Sequence, residues 1–209
     1  ELRTPLAALQ AQLQVALRAR DEGERERSLT QLQCGLTRAS HLVDQMLQLA
    51  RLDPESGLPD SQPVDLSMLA EDVCAELGTA ILDKNLDFDL QASAGCTITG
   101  QPDWLRVLMR NLVDNAIRYT PPGGKIVVRL NVEQNACRFS VSDNGPGIPV
   151  AERDAVLRRF HRLNHQDQPG SGLGLSIVSR IAELHGAQIQ LGDGEAASGL
   201  SISVSFRKN

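Results

Sequence analysis

The sequence predicts an α+β chain of two unequal parts, a helical hairpin followed by a larger part that mixes strands and helices. Apolar residues near the start recur every three or four positions, which is typical of amphipathic helices. Later runs alternate polar and apolar residues, as half-buried strands do, and helical stretches separate them. Between the two patterns lies LDPESGLPDSQP at 52–63, with three prolines. Strands interleaved with helices after such a break favour a two-layer sandwich.

The composition is that of an ordinary globular protein and excludes several classes. Of 209 residues, 41% are hydrophobic and 22% charged, which excludes collagen-like, low-complexity and disordered chains. A net charge of −5 provides no broad cationic field, so nucleic acid is not an expected partner. The four cysteines include no CxxC pair, which indicates reduced thiols rather than a zinc site or a disulfide framework. No apolar run approaches the roughly 18 residues that span a bilayer.

The first 52 residues predict two helices. Leucines at positions 2, 6, 9 and 13 form one apolar stripe, and the polar run 21–24 interrupts it. From Leu29 to Ala50 the apolar residues step alternately by three and four positions, which is an a/d heptad pattern. A turn at Gly23 would make an antiparallel hairpin. Because a hairpin has no third layer, it either pairs with a second copy in a four-helix bundle, which we favour, or packs on the rest of the chain.

The remainder of the chain divides into helices and strands. The predicted helices cover 66–84, 102–119 and 172–185. The predicted strands cover 86–91, 96–99, 125–133, 137–143, 188–191 and 200–206. The predicted organisation is therefore a hairpin at 1–52, a linker at 53–63 and an α+β part at 64–209.

Residues able to bind a ligand are concentrated in four segments of the second part. In NLVDNAIRYT, Asn111 and Asn115 share one face of the predicted helix, with Arg118 and Tyr119 one turn further on. This face would suit a hydrated Mg²⁺ ion and its phosphates, because Mg²⁺ takes few protein oxygens and keeps several waters. Taken alone, the same residues are also explained by a solvated helix face.

Two further segments lie in predicted loops. DNGPGIP at 143–149 combines glycines, which allow close backbone approach, with Asp143, an acceptor suited to an amino group. A simple turn would explain it equally. RRFHR at 158–162 surrounds Phe160 with three arginines. It would form either a lid beside a phosphate or a solvated charge cluster.

The fourth segment, GSGLGL at 170–175, directly precedes an apolar-periodic helix. A glycine-rich loop that opens a helix collects free N–H groups and the positive end of the helix dipole, which favours an anion. The segment is not a Walker A motif, because no Lys-Ser or Lys-Thr follows it.

In this order, the four segments resemble the N, G1, F and G2 boxes of sensor histidine kinases, whose ATP-binding domain has the Bergerat fold shared with gyrase. The first residues, ELRTPLAAL, resemble the H-box HELRTPL without its histidine. The hairpin resembles the dimerisation and phosphotransfer domain, so the resemblance covers essentially the whole chain. RRFHRL, GSGLGLSIV and RIAELHGA are similar to the QseC and PmrB group of proteobacterial sensors.

The resemblance implies a site for ATP and Mg²⁺. It implies that Asn115 coordinates Mg²⁺, that Asn111 supports the phosphates, and that Asp143 accepts a hydrogen bond from the adenine amino group. Arg162 could reach the γ-phosphate. The other residues implied to bind the nucleotide are Arg118, Tyr119, Gly145, Gly147, Ile148, Phe160, Gly170, Gly172, Leu173 and Gly174.

The resemblance also implies phosphotransfer at the start of the chain. The phosphorylated imidazole of the family directly precedes the residue that is Glu1 here, and none of the four histidines sits in that motif. Glu1 would take the proton from that imidazole, and Thr4 would hold the water that removes phosphate from a response regulator. We therefore expect this segment to bind ATP without phosphorylating itself.

The implied partners are a second copy bound through the hairpin and the receiver domain of a response regulator. The parent protein is expected in the bacterial inner membrane, attached through upstream segments, with this part on the cytoplasmic side. Two other functions stay open. One is a Bergerat ATPase of the chaperone or repair type, against which the H-box remnant and the heptad hairpin argue. The other is a binding module that retains nucleotide only to regulate dimer shape.

Overall fold

The chain folds into two compact units, which are described separately. They comprise Glu1–Arg51 and Leu52–Asn209. The computed structural model describes residues 3–19, 21–52, 60–133, 135–161, 172–194 and 198–208.

The first unit is a pair of contacting helices, α1 (Arg3–Arg18) and α2 (Glu22–Arg51). Gly35 of α2 lies close to α1, where a Cβ atom would come within 2.8 Å of Leu9 Cδ2. Contact at this distance requires the absence of a side chain, so the helices approach closely there. Three residues of the predicted heptad remain exposed on α2: Leu29, Leu36 and Val43.

The turn between these helices comes earlier than the predicted turn at Gly23, which was wrong. Helix α2 begins at Glu22, so the glycine lies in its first turn. Asp21 Oδ1 accepts a hydrogen bond from Glu24 N at 2.7 Å and thereby caps the helix. A side-chain cap satisfies one of the N–H groups that a helix start leaves without a partner, and it outweighs the low helix propensity of one glycine.

The second unit contains helices and strands in the following order. Its strands are β1 (Gln62–Asp65), β2 (Asp87–Ala92), β3 (Thr97–Gly100), β4 (Lys125–Glu133), β5 (Ala136–Asp143), β6 (Gln188–Asp193) and β7 (Leu200–Arg207). Its helices are α3 (Leu66–Glu76), α4 (Gly78–Asp83), α5 (Pro102–Tyr119) and α6 (Gly174–Leu184), with a 3₁₀ turn at Val150–Glu152.

A five-stranded mixed sheet forms one layer of this unit. Its strand order is β2-β4-β5-β7-β6, with β2 and β4 parallel and the other neighbours antiparallel. Helix α5 contacts α3, α6, β4 and β5. Alternate sheet residues are buried, as expected for one face turned to a core: Ile126, Val128, Leu130, Phe139, Val141, Ile202 and Val204. The α+β class and the predicted sandwich are confirmed.

Helix α5 has the bounds that the sequence predicts, and local signals explain both ends. Gln101 Oε1 accepts a hydrogen bond from Trp104 N at 2.7 Å, and Pro102 occupies the first turn, where its missing N–H costs nothing. At the other end Thr120 is extended and Pro121 follows, so the helix cannot continue.

Two secondary-structure predictions were wrong. The single helix predicted over 66–84 is broken at Leu77, whose N–H bonds to Cys74 O at 3.2 Å, because Gly78 is a poor residue for continuing a helix. Strand β1 includes Gln62 and Pro63, which the sequence analysis assigned to the linker. It pairs with β3 alone, so it is an edge strand, in which a proline is tolerated. Other predicted ends differ from the observed ends by one or two residues.

A half-buried histidine, His185, connects the end of α6 to the start of α5. Backbone N–H of Gln101 donates to His185 Nε2 at 3.1 Å, so that nitrogen is unprotonated and Nδ1 donates to Ile181 O at 2.8 Å. The ring meets Phe206 edge to face, with centroids 6.3 Å apart. Burial lowers the pKa of His185, and the bond to Ile181 opposes this shift. His185 therefore occupies the C-terminal capping position of α6 and also binds the residue that caps the start of α5.

We predict that His185 makes stability depend on pH. Because its folded pKa lies below the ordinary value of about 6.5, the unfolded chain binds a proton first as the pH falls. The stability that the neutral His185 contributes is fully present above about pH 6.5 and is lost as the pH falls toward the folded pKa. In urea unfolding, the free energy of unfolding of His185→Gln should be lower than that of the parent chain by about 1–3 kcal/mol at pH 7.5. The difference should be smaller at pH 5.5. An identical pH dependence in both proteins would contradict the assignment.

Candidate nucleotide-binding site

Asp143, the last residue of β5, is a buried carboxylate at one end of the site. The residue is 8% exposed, and its Oδ1 atom accepts hydrogen bonds from Gly145 N (2.8 Å) and Leu200 N (3.3 Å). Burial raises its pKa, and the two backbone hydrogen bonds oppose that shift. Within the described part of the chain Oδ2 makes no hydrogen bond, so it can accept one from a ligand amino group.

Glycines form the wall around this carboxylate. A Cβ atom at Gly145 would come within 2.9 Å of Asp143 Oδ1 and of Tyr119 O. A Cβ atom at Gly147, which has a φ of +71°, would come within 2.6 Å of Gly199 O. Gly199 has a φ of +86° and its α-carbon faces Asp143 O. Because only glycines allow these approaches, the loop after β5 and the turn before β7 fix the carboxylate between them.

Two asparagines of α5 lie at the start of α6. Asn111 Nδ2 donates to Val107 O at 2.8 Å, which fixes the orientation of that amide. A Cβ atom at Gly174 would lie 3.1 Å from Asn111 Oδ1 and 3.4 Å from Asn115 Nδ2. Gly174 is the first residue of α6, so both amides meet the N-terminus of that helix.

The N-terminus of α6 is chemically suited to an anion. Leu173 occupies the capping position, where an apolar side chain cannot accept a hydrogen bond from the first N–H groups. Its side chain is fully buried, so only its backbone can face a ligand. Gly172, with a φ of +70°, brings the chain into this position. The first N–H groups of a helix have no partner within the helix, and together with the positive end of the helix dipole they favour a phosphate there.

Arg118 and Tyr119 lie at the end of α5, beside the Asp143 end of the site. Arg118 forms an ion pair with Asp114, one turn earlier, at 3.2 Å. The backbone of Tyr119 lies against Gly145. Because the asparagines stand further back on the same helix, α5 joins the carboxylate end of the site to the anion end.

Ile148 is held in place by an arginine that sequence reasoning did not select. Arg153 Nε donates to Ile148 O at 3.2 Å, and the same guanidinium pairs with Asp193 at the end of β6. The arginine side chain is 16% exposed. This partly buried charge therefore fastens the loop after β5 to the edge of the sheet.

Phe160 and Gly172 bring together the two chain ends that flank 162–171. Phe160 N donates to Gly172 O at 3.0 Å, and Phe160 has a φ of +61°. A positive φ is strained for a bulky residue, and such strain persists where surrounding contacts enforce it. The hydrogen bond therefore joins the predicted lid segment to the residue two positions before α6.

Four predicted residues cannot be placed by side chain. Glu1, Arg162 and Gly170 lie outside the described residues, and Thr4 is described only as part of α1. Among the residues that are described, no group of three or more His, Cys, Asp or Glu side chains is arranged to hold a metal ion. No described helix is long and apolar enough to cross a membrane.

Sequence reasoning missed residues that contact the predicted site residues or the elements that carry them. Gly199, Leu200, Arg153 and Lys84 are absent from the predicted set, although the first two contact Asp143 directly. Gly199 could have been suspected as a turn glycine before a strand. Leu200 and Lys84 carry no local signal, because their partners are distant in the sequence, and the pairing of Arg153 with Asp193 likewise joins residues 40 positions apart.

The fold and the site define an ATP-binding domain of the Bergerat class, and comparison with known families agrees. Residues 100–209 match the family described as histidine kinase-, DNA gyrase B- and HSP90-like ATPase. Residues 1–55 match the His Kinase A (phospho-acceptor) domain. The chain belongs to the sensor histidine kinases of two-component systems, and its ATPase domain implies ATP binding.

Two curated relatives show the similarity over the whole chain. The sensor protein kinase PmrB of Pseudomonas aeruginosa is 42% identical over 209 residues, covering 100% of this chain and 44% of the relative. The sensor protein QseC of Salmonella typhimurium is 43% identical over 208 residues, covering 99% and 45%. The predicted resemblance to the QseC and PmrB group is confirmed. The chain spans a little under half the length of these relatives.

Solved structures share the fold. The cytoplasmic segment of histidine kinase QseC is 34% identical with a TM-score of 0.59, covering 83% of this chain and 95% of that one. Histidine kinase AdeS of Acinetobacter baumannii has a TM-score of 0.78 over 100% of this chain and 97% of that one. At 23% identity, this second likeness shows the fold alone.

We predict that Gly199→Ala weakens nucleotide binding at least tenfold. An L-residue at a positive φ costs about 1–2 kcal/mol, and the new methyl group also displaces the Asp143 backbone. The matched control is Gly95→Ala, because Gly95 has a φ of +83° but no atom within 4 Å of its added Cβ. Titration with a fluorescent ATP analogue should separate the two variants; equal affinities would exclude a role of the Gly199 contact in the site.

Proposed function

We propose that this chain is the kinase core of a sensor histidine kinase, which binds Mg-ATP and passes the γ-phosphate to a histidine directly before Glu1. A response-regulator aspartate then receives the phosphate. One observation carries the proposal: α5 joins a buried acceptor, Asp143, to an amide pair at the uncapped start of α6. These two ends suit the amino-bearing base and the phosphates of one nucleotide.

The base end is assigned to the loop after β5. Asp143 accepts a hydrogen bond from the adenine amino group, while Gly145, Gly147 and Ile148 form the floor beside it. Tyr119 lines the base or ribose from the end of α5. The rigid backbone contacts of this loop support the assignment, because a fixed acceptor loses little entropy when a ligand binds.

The phosphate end is assigned to α5 and α6. Asn115 coordinates Mg²⁺ and Asn111 supports the phosphates, where their amides meet Gly174. When bound, Mg²⁺ neutralises charge on the phosphate oxygens. The further residues proposed to contact the nucleotide are Arg118, Phe160, Arg162, Gly170, Gly172 and Leu173.

The transfer step follows from these positions. The unprotonated imidazole nitrogen attacks the γ-phosphorus, the bond from phosphorus to the bridging oxygen breaks, and ADP leaves with the electron pair. Glu1 takes the proton that the imidazole loses. Thr4 holds the water that attacks the phosphorus of the regulator's aspartyl phosphate, which releases inorganic phosphate and the free aspartate. Positioning and charge neutralisation supply most of the catalysis in such reactions.

Dimerisation and location complete the proposal. The exposed heptad residues Leu29, Leu36 and Val43 support a homodimer formed by the hairpin. In the same proposal, 1–52 is the phosphotransfer hairpin, 53–63 a linker and 64–209 the catalytic domain. The related QseC structure is titled as a cytoplasmic segment, which supports a cytoplasmic position for this part of an inner-membrane protein.

We predict that restoring the acceptor restores autophosphorylation. A chain extended by one His before Glu1 should gain acid-labile, alkali-stable label from γ-labelled ATP and Mg²⁺. A chain extended by Ala is the matched control and should remain unlabelled, as should the chain without extension. Label on all three would place the acceptor elsewhere. Label on none, with nucleotide binding measured, would instead favour the chaperone-type ATPase or the regulatory module.

We predict that Asn115→Asp abolishes phosphotransfer in the His-extended chain. The added charge lies beside the α6 start and changes the metal ligand. Asn131→Asp makes the same chemical change at an exposed position of β4 and should leave the rate within twofold. Retained transfer in Asn115→Asp would contradict the Mg²⁺ assignment, and indifference of every nucleotide-site variant would favour the dimer-shape module.

A further inference from the structure

Lys84, the residue after α4, makes three hydrogen bonds to the end of α5. Its Nζ atom lies 2.8 Å from Ile117 O, 2.9 Å from Arg118 O and 3.0 Å from Thr120 O. An ammonium group has three donors, so these bonds use all of them. The last carbonyl groups of a helix lack partners within it and carry the negative end of its dipole. Lys84 therefore caps α5 from another part of the chain.

The backbone around Lys84 is joined to the same turn. Gly123 N donates to Lys84 O at 3.0 Å, and Asp87 N donates to Gly124 O at 2.8 Å. Burial lowers the pKa of Lys84, and the nearby Arg118 adds to the shift. A cation kept in such surroundings needs compensating hydrogen bonds, which the three carbonyl groups provide.

The three hydrogen bonds of Lys84, here called the Lys84 clamp, lie next to the base end of the site. Tyr119 lies between the carbonyls that Lys84 holds, and Tyr119 O lies against the α-carbon of Gly145. Gly145 N in turn donates to Asp143 Oδ1 at 2.8 Å. Asn111 stands eight residues back on α5, more than two turns away. A shift of the helix end would therefore reach the carboxylate before it reaches the phosphate end.

We propose that Lys84 is a positioning residue for the nucleotide site: it holds the last turn of α5 so that the loop at Gly145 keeps Asp143 at the spacing an adenine requires. The inference rests on the proposed nucleotide site. Lys84 touches no part of the nucleotide in this proposal; it acts through the backbone of Tyr119.

Binding measurements test the inference with Lys84→Met, which keeps an unbranched side chain only one atom shorter and removes its donors. Lys84→Met should weaken the binding of ATP and of ADP by the same factor, about fivefold or more. Both nucleotides carry the base whose acceptor, Asp143, Lys84 is proposed to position. Lys125→Met is the control: it removes the same charge near the site, and among the described residues the Lys125 side chain forms only an exposed ion pair, with Asp87 at 3.8 Å. Its affinities should stay within twofold of the parent chain.

A second readout needs no nucleotide. Tyr119 is the single tyrosine of the chain, so selective ¹³C labelling gives one set of ring signals from the end of α5. These signals should move in free Lys84→Met and stay in place in Lys125→Met. All proteins are compared at urea concentrations where unfolding curves show them folded. If Lys84→Met does not fold, Lys84→Gln, which retains an amide donor on a shorter stem, replaces it in the same measurements.

The outcomes distinguish the positioning role of Lys84 from the proposed nucleotide-binding function. Parent-like affinity in the folded variant, a loss for ATP without a loss for ADP, or unmoved Tyr119 signals would each overturn the positioning role. If the parent chain itself binds neither nucleotide, the proposed function fails, while the Tyr119 signals still report whether Lys84 holds the helix end.

Discussion

Burial of one face of α5 is the constraint on which the rest of the site depends. Its apolar stripe is almost fully removed from water: Leu105, Leu108, Met109, Leu112, Val113 and Ile117. Side chains of this size stabilise a core by about 1.5–3 kcal/mol each, so rotating the helix would cost far more than any polar contact gains. The opposite face is thereby fixed, and it carries Asn111 and Asn115 toward Gly174.

Burial sets the rotation of α5, while polar contacts at its ends set its position along the axis. At the start, Gln101 caps the helix and also donates its backbone N–H to His185. At the end, Lys84 satisfies three carbonyl groups. Each helix end leaves groups without partners. Here the adjacent Gln101 caps the start and is itself bound to the distant His185, and the distant Lys84 satisfies the carbonyl groups at the end. The helix is therefore held by the fold on both sides of the site.

The sequence predicts those features that arise from local patterns and misses those that arise from long-range partners. The bounds of α5 follow from Pro102, the apolar period and the following prolines, and the shared face of Asn111 and Asn115 follows from their spacing. The clamp by Lys84 could not be predicted, because its partners lie more than 30 residues away. The close approach of Gly199 to Asp143 likewise depends on how β5 and β7 pair.

Two features of the site depart from the rules that stabilise other parts of this unit. Helices α3 and α5 begin with side-chain caps from Asp65 and Gln101, whereas α6, like the short α4, begins after a leucine that provides no side-chain cap. A carboxylate, Asp143, is buried with two backbone donors and no cation among its hydrogen-bond partners in the described chain. Both departures cost stability in the free protein. A ligand with a donor at one end and negative charge at the other would satisfy both at once, so the groups that cost stability in the free protein are the ones proposed to bind the nucleotide.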